Sequence, residues 1–474
     1  MLFNSLTFVV FFTVVYGLYR VIPGWGMRKN LLLVCSYIFY GAWNPPFAAL
    51  LLTSTVVDWW LAGRMDREAI QSRRRLWLTL SLVTNFGFLG FFKYGNFLLD
   101  NTVALLGAMG ISYHPPHLDI LLPVGISFYT FHTLSYTIDV YRRQLKPEYS
   151  LRDFALFVSF FPQLVAGPIV RARDFLYQLK EPPAPVRGRF AWGVFLMTMG
   201  LFEKVVVADT LLAPTADAVF SHPFPLAALD AWAGALAFGM QILCDFSGYS
   251  LTAIGADLCF GFYLIDNFRF PYGASGFSDF WRRWHISLSS WLRDYLYFPL
   301  GGNRFGTMRT CFNLMFVMLL GGLWHGAAWT FVLWGALHGL FLLLERAFRF
   351  LTAGAAWTES MVARTLGWLL TVLGVTITWV FFRAQDFPTA MKTLVSMFGA
   401  FGERGDQFLA TRDLLEVAVV VTVVLAAHRL LRDSSIEAIV QRSPRWCVAG
   451  AWLVMSLSIM LTQGSGNAFI YFQF

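Results

Sequence analysis

Residues 308–344 read MRTCFNLMFVMLLGGLWHGAAWTFVLWGALHGLFLLL and hold two apolar runs, Met308–Trp324 and Ala327–Leu344, on either side of His325-Gly326. A helix needs about 20 mainly apolar residues to cross a bilayer, and each run approaches that length. In the hydrocarbon core a segment must satisfy its own backbone polar groups, so a helix is the expected conformation. The stretch therefore predicts two membrane helices with a histidine between them.

The rest of the chain has the same character. Of its 474 residues 57% are hydrophobic and 14% are charged, whereas a soluble domain has about 25% charged residues. The mean hydropathy is +0.57. This composition excludes a soluble enzyme, a disordered chain and a disulfide scaffold. We predict an all-α, polytopic integral membrane protein with a single membrane domain over residues 1–474, with about eleven transmembrane helices plus re-entrant and interfacial helices.

Several predicted boundaries are open to test. Leu2–Tyr19 has no basic start and no small-residue cleavage site, so we interpret it as a retained span. Phe154–Ile169 contains Pro162 and is expected to dip into the membrane as a hairpin. Further separate runs are predicted at Leu76–Leu99, Phe190–Leu211, Leu226–Leu243 and Ser247–Tyr263.

The formal charge of +8 lies in short basic clusters between apolar runs, which is typical of cytoplasmic loops and argues against a nucleic-acid partner. Their order predicts an N-terminus outside the cytoplasm, with the segment Asp100–Asp119, which contains His114 and His117, also outside. The five cysteines are widely spaced in or beside apolar runs, so buried thiols are expected and no metal site is predicted.

Residues 277–302 read FSDFWRRWHISLSSWLRDYLYFPLGG and form an amphipathic pattern on a helical wheel. The pattern predicts one interfacial helix with Ser278 as its N-cap. His285 falls on the apolar side, beside Trp281 and Leu292. Two interpretations of His285 are equally supported: a hydrogen-bonded core histidine, or a group that faces a buried reaction site.

His325 lies between apolar runs and next to tryptophan and glycine, in the catalytic-histidine helices predicted over residues 308–347. Burial favours the neutral imidazole, which can take a proton from a hydroxyl. We favour this functional interpretation over a packing histidine, because buried polar groups in membrane spans are costly. On one continuous helix His338 would lie roughly 20 Å away, so we interpret it as structural.

The acidic residues within apolar runs are few. Asp245 has three open interpretations: it orients a histidine, lines a polar path, or braces a helix break at Ser247-Gly248. Glu203, Lys204 and Asp209 are expected to form a local ion-pair group.

The motifs resemble those of membrane-bound O-acyltransferases. The first signature lies at Trp281–Ser289 and Trp291–Tyr297, continuing through Pro299–Arg304, and the second at Gly321–Gly326. The chain is also similar to the bacterial branch of alginate O-acetyltransferase membrane subunits, at Leu122–Tyr129, Ala166–Pro168, Asp245–Ser250 and Phe469–Phe472.

This resemblance implies tilted helices around a central tunnel and transfer of an acyl group to a hydroxyl. His325 would be the catalytic histidine, and His285 would assist by polarising the acyl carbonyl or aiding the leaving thiol. Further candidate tunnel-lining residues are Asp245, Trp284, Asn303 and Trp324.

The resemblance further implies a reaction in the bacterial inner membrane without a bound cofactor. The acetyl donor would be acetyl-CoA or an acyl-carrier thioester from the cytoplasm. The partners would be periplasmic acetyl-transferring proteins and the machinery that makes and exports a polysaccharide such as alginate or cellulose.

Two alternatives remain. The first is D-alanyl or other acyl transfer to teichoic acid, lipid or protein. The second is a transporter or flippase without chemistry, for which two related halves with paired broken helices are expected but not seen in the sequence.

Overall fold

The computed structural model describes residues 1–116, 118–164, 167–399 and 405–462. All regular elements in these ranges are helices and none is a strand, which confirms the all-α prediction. His117, Ala166 and Phe469–Phe472 lie outside the described residues.

The first half of the chain contains eleven α-helices. They are α1 Leu6–Val21, α2 Trp25–Gly41, α3 Pro45–Arg67, α4 Gln71–Ala108, α5 Ile126–Tyr141, α6 Leu151–Ser159, α7 Phe161–Leu164, α8 Ala172–Phe175, α9 Arg189–Leu201, α10 Ala213–Ser221 and α11 Ala228–Phe260 among the described residues. A 3₁₀ turn, Leu176–Leu179, follows α8, and a π-helical segment, Phe202–Leu212, joins α9 to α10.

The second half continues with α12 Phe277–Trp281, α13 Ile286–Leu292, α14 Gly306–His325, α15 Trp329–Leu351, α16 Met361–Arg383, α17 Phe387–Met397, α18 Thr411–Leu431, α19 Ile436–Arg442 and α20 Arg445–Thr462. Single turns of 3₁₀ helix lie at Pro271–Gly273 and Ala356–Glu359, and a π-helical turn at Arg293–Tyr297 follows α13.

Eight helices in the described ranges are long and apolar enough to cross a membrane. They are α3, α4, the continuous stretch Arg189–Ser221, α14, α15, α16, α18 and α20. The protein is therefore a multi-pass membrane protein, as predicted. The number of eleven spans stays a prediction.

Two predicted boundaries are wrong. Leu226–Leu243 and Ser247–Tyr263 are not separate runs, because α11 continues through Ser247-Gly248 without a break. A Cβ atom at Gly248 would overlap the carbonyl oxygen of Gly200, so this glycine allows close helix packing and does not end the helix. Likewise α4 continues to Ala108, and the loop predicted from Asp100 begins later.

The chain forms two compact units, to both of which α9 and α11 contribute residues. The first comprises residues 1–197 and 252–265. Within it a buried polar cluster joins α3 to α4, where Asp58 accepts hydrogen bonds from Ser81 (2.6 Å) and Asn85 (2.8 Å). Between α6 and α7 the helix is interrupted at Phe160, and neither helix is long enough to span the membrane.

The second unit, residues 198–251 and 266–474, contains both predicted active-site histidines among its described residues. Within this unit α14 and α15 pack backbone to backbone. A Cβ atom at Gly322 would overlap the carbonyl oxygen of Phe331, and one at Gly335 would overlap that of Met318. Small residues at a helix contact allow this close approach.

The prediction of a single interfacial helix over residues 277–302 is wrong. The segment folds as α12, a turn, α13 and a π-helical turn, and the N-cap of α12 is Gly276 in place of Ser278. Backbone hydrogen bonds from Arg269 to Arg283 (2.9 Å) and from Ile286 to Asn267 (2.9 Å) hold the turn against the preceding loop. A continuous helix would need the carbonyl of Arg283 and the N–H of Ile286 for its own backbone hydrogen bonds, so these tertiary bonds interrupt it.

Candidate active site

His325 is the last residue of α14 and lies in an aromatic cage. Its ring centroid is 5.0 Å from those of Trp324 and Trp334 and 5.3 Å from that of Phe382. The helix ends because Gly326 turns into an extended conformation. A Cβ atom at Gly326 would collide with the ring of Phe331, so glycine is required for the chain to turn here.

His285 lies in the turn between α12 and α13, and tertiary folding brings it beside His325. The two imidazole centroids are 6.4 Å apart. Trp324 packs against both, at 5.8 Å from His285 and 5.0 Å from His325. Phe246 of α11 covers another side of His285 at 4.6 Å. Both histidines are buried, so the pair forms one shielded polar site.

A cavity of about 890 Å³ leads to this site. His325 and Trp334 line its buried part, whereas Arg349 and Phe350 line the part where side chains are exposed. The charged residues along the cavity are Arg282, Arg293, Arg346, Arg349 and Glu345. Trp334 and Phe350 are 16 positions apart on α15, so the cavity follows roughly 24 Å of helix. It is therefore long, with a net positive outer part and a histidine at its inner part.

Asp245 is placed away from the lining of this cavity and pairs with Lys204. Lys204 also bonds Asp209 at 2.8 Å, which confirms that part of the predicted ion-pair group. The i,i+5 spacing of Lys204 and Asp209 matches the π-helical segment that contains them. Glu203 instead accepts a hydrogen bond from Ser247. Of the three interpretations of Asp245, bracing a helix break is excluded because α11 is continuous.

The other predicted residues occupy different surroundings. Trp324 packs against both histidines, as described above, but neither Trp324 nor His285 is among the residues that line the cavity. Trp284 is fully buried against Phe268 and Trp379, each at 5.0 Å, and does not line the cavity. Asn303 lies in an exposed turn and does not line the cavity either.

His338 is closer to His325 than one continuous helix would allow, because the chain turns between α14 and α15. Trp334 lies between the two, 4.6 Å from His338 and 5.0 Å from His325. The imidazole of His338 bonds Thr378 of α16 through Nε2 at 3.0 Å. His338 does not line the cavity, which agrees with a structural role.

Sequence reasoning missed Asn267. It lies in the loop after α11, is buried, and bonds His285 at 3.1 Å. Nothing in its local sequence distinguishes it, since the contact joins residues 18 positions apart. In the described part of the chain no group of three or more histidine, cysteine or acidic side chains is arranged to hold a metal ion.

Comparison with known proteins shows the family to which the chain belongs. Residues 75–383 match the family model of MBOAT, the membrane-bound O-acyltransferase family. The chain belongs to the membrane-bound O-acyltransferases. The matched region contains both histidines and the whole cavity lining.

Three relatives show the range of similarity. A probable alginate O-acetylase AlgI of Azotobacter vinelandii is 44% identical over 407 residues, which cover 85% of this chain and 79% of the relative. A peptidoglycan O-acetyltransferase of Helicobacter pylori is 37% identical, over 85% of this chain and 80% of the relative. A teichoic acid D-alanyltransferase of Bacillus subtilis is 27% identical, over 57% of this chain and 68% of the relative. This chain is thus an acyltransferase, and its two buried histidines lie in the region that defines the family.

Proposed function

We propose that this acyltransferase takes an acetyl group from a cytoplasmic thioester donor and passes it across the bacterial inner membrane for O-acetylation of an exported polysaccharide, alginate or cellulose. The observation that carries the proposal is the position of His325 at the inner part of a cavity with a cationic outer part. The relatives named for acetyl transfer to polysaccharides support the choice of acyl group and acceptor, because they match most of this chain.

The charge of the cavity supports the class of donor. Four arginines and one glutamate line it, and most of the remaining lining is apolar. Acetyl-CoA and acyl-carrier thioesters both have phosphate at one end and the thioester at the other. Arginine binds phosphate well because its planar guanidinium donates two parallel hydrogen bonds. Phosphate at the outer arginines would leave the thioester directed toward His325.

The proposed chemistry follows from a buried, neutral imidazole. His325 accepts the proton of the acceptor hydroxyl while the hydroxyl oxygen forms a bond to the acetyl carbonyl carbon. The bond from that carbon to sulfur breaks, and the departing thiolate takes up the proton. An acetyl group held transiently on His325 is the alternative route. General-base catalysis of this kind contributes roughly 10²–10⁴ in rate.

After transfer, periplasmic partner proteins would complete acetylation of the polysaccharide together with its synthesis and export machinery. D-alanyl transfer to teichoic acid is the second candidate, since one relative has that name. It is the weaker one, because that relative matches a smaller share of this chain at lower identity. The transporter alternative leaves the paired histidines without a role.

The test is the acetyl content of exported polysaccharide, measured by NMR in a strain that lacks this gene. The strain is complemented with wild type or with His325→Ala at matched membrane levels. We expect acetylation with wild type and a loss of roughly 10²-fold or more with the variant. Equal acetylation in both would contradict the proposal, and D-alanine on teichoic acid in place of acetate on polysaccharide would favour the second candidate.

A further inference from the structure

The Asn267 side chain joins four groups in the interior of the second unit. Its Oδ1 lies 2.8 Å from Ser287 Oγ, 3.3 Å from the Ser287 backbone nitrogen and 3.1 Å from His285 Nδ1. Its Nδ2 donates to Ser250 Oγ of α11 at 2.9 Å. Asn267 is 1% exposed, so these hydrogen bonds are shielded from solvent.

The backbone of Ser287 fixes which way the amide points. A backbone N–H can only donate, so the Asn267 atom that it approaches must be the oxygen. The opposite end of the amide is then the NH₂ group, in agreement with its bond to Ser250. The orientation of Asn267 therefore follows from an unambiguous donor.

The same oxygen fixes the tautomer of His285. Asn267 Oδ1 carries no hydrogen, so His285 Nδ1 carries the proton in their hydrogen bond. The hydroxyl of Ser287 also lies 3.4 Å from Nδ1, but it is closer to Asn267 Oδ1, to which it donates at 2.8 Å. A neutral imidazole has only one N–H, which leaves a lone pair on Nε2. Within the described residues Nε2 of His285 is buried and has no hydrogen-bond partner. A buried polar atom left without a partner destabilises the fold, so such an atom calls for a functional explanation.

The backbone at His285 is held in an uncommon conformation. Its φ and ψ are 43° and 56°, in the left-handed region, although it is not a glycine. Such a conformation is strained and persists where surrounding contacts impose it. The loop that contains Asn267 imposes it here, through the Asn267 carbonyl that accepts from Ile286 N (2.9 Å) and the side chain that bonds the ring.

We propose that Asn267 is a positioning residue that fixes His285 as the Nδ1–H tautomer, so that Nε2 takes part in acyl transfer as a hydrogen-bond acceptor. The catalytic part of this inference rests on the proposed function. It changes the role expected for His285, because a neutral ring with Nδ1–H bonded to Asn267 has no N–H left for the acyl carbonyl. The ring centroids of His285 and His325 are 6.4 Å apart, so the ring that carries this lone pair is a neighbour of the proposed base.

The experiment combines a spectroscopic and a functional readout on the full chain. The ring ¹⁵N chemical shifts of histidine-labelled protein in lipid nanodiscs report which nitrogen carries hydrogen, and His285→Ala identifies the resonances by their loss. Acetyl content of exported polysaccharide is measured for Asn267→Ala and Asn267→Asp at matched membrane levels. Asn313→Ala is the matched control, since Asn313 is a similarly buried asparagine whose Nδ2 donates to the backbone carbonyls of Leu300 and Gly302.

We expect wild-type His285 to carry hydrogen on Nδ1. Asn267→Ala should lose this signature and lower acetylation by roughly 10- to 100-fold, the usual effect of removing a partner that orients a histidine. Asn267→Asp keeps an oxygen acceptor for Nδ1–H, so it should restore the signature and most of the acetylation. Asn313→Ala should acetylate close to wild type at equal protein level.

Hydrogen on Nε2 in the wild type would overturn the proposal, and so would equal acetylation by Asn267→Ala and Asn313→Ala. The wild-type spectrum and the Asp variant decide the matter even where Asn267→Ala does not fold. Normal acetylation by His325→Ala would instead overturn the proposed function, while the ¹⁵N spectrum would still test the Asn267–His285 pair by itself.

Discussion

At the scale of single residues, the surroundings of each histidine separate catalysis from packing. His325 and His338 are both buried in the α14–α15 hairpin, and both contact Trp334. Of these two, His325 lines the cavity and His338 does not. The hydroxyl of Thr378 donates its proton to the Val375 carbonyl at 2.8 Å, so it accepts the hydrogen bond from His338 Nε2. Burial alone therefore does not distinguish the proposed base His325 from His338, whereas contact with the cavity does.

His338→Ala should consequently lower stability without abolishing acyl transfer. The substitution removes one buried hydrogen bond and aromatic contacts, which together are worth about 1–3 kcal/mol. The measurement is the thermal unfolding midpoint in detergent together with polysaccharide acetylation at matched protein level. A loss of acetylation as large as that of His325→Ala would place His338 in the chemistry.

At the scale of helices, the position of His325 depends on how closely α14 approaches α15. Gly322 faces the backbone of α15, where a Cβ atom has no room. Gly322→Ala should therefore push the two helices apart, displace the aromatic cage and reduce both stability and acetylation. Gly450→Ala in α20 is the control, since no atom of the described residues lies within 4 Å of a Cβ atom there. The same unfolding and acetylation measurements apply, and equal behaviour of the two variants would contradict the packing argument.

A charged cluster anchors α12, the helix that precedes His285. Asp279 accepts from Arg283 (3.0 Å) and from Arg432 after α18 (3.0 Å). Burial alone would raise the pKa of the Asp279 carboxyl, but the hydrogen bond and charge of Arg283, with a smaller effect of Arg432, hold its pKa below the usual range. The carboxylate therefore stabilises the fold at neutral pH.

Asp279→Asn should lower the free energy of unfolding by about 1–3 kcal/mol at pH 7. Because the native pKa lies below the unfolded value of about 3.9, this contribution is present above that pH. It is lost as the pH falls from about 4 through the native pKa. The difference in unfolding midpoint between wild type and variant should thus narrow in acid. A difference that stays constant below pH 4 would show that the charge of Asp279 is not the cause.

At the scale of the whole molecule, the topology of the chain decides from which side the donor enters. The basic clusters predict that the outer part of the cavity faces the cytoplasm.

In a variant without the five native cysteines, a membrane-impermeant maleimide should label Arg349→Cys only from the cytoplasmic side. Tyr113→Cys, in the segment predicted outside, should react only from the opposite side. Both positions are exposed on the protein. A cysteine that reacts from one side of the membrane and not from the other therefore reports the topology of the chain and not burial of the side chain. Labelling of Arg349→Cys from outside would reverse the proposed direction of transfer.

An all-helical membrane protein, with His325 as the main candidate for catalysis, could be predicted from local sequence patterns. Hydrophobic composition and run length are local properties, so they can be read along the chain without knowledge of contacts. His325 was found for the same reason, since its apolar surroundings lie within a few residues. Helix boundaries were predicted less well. Gly248 was interpreted as a helix break, but it allows α11 to pack closely against Gly200, which is distant in sequence.

The assembly of the site depends on contacts between segments that are distant in sequence, which no local pattern predicts. His285 reaches His325 because contacts with the Asn267 loop interrupt the expected interfacial helix. Asn267 itself has no sequence signal, since its role arises from bonds to residues that precede or follow it by 17 to 20 positions. Asp245 likewise pairs with a lysine 41 positions earlier. Local pattern determines which segments are helices, but the partner of a buried polar group is set by packing between distant segments.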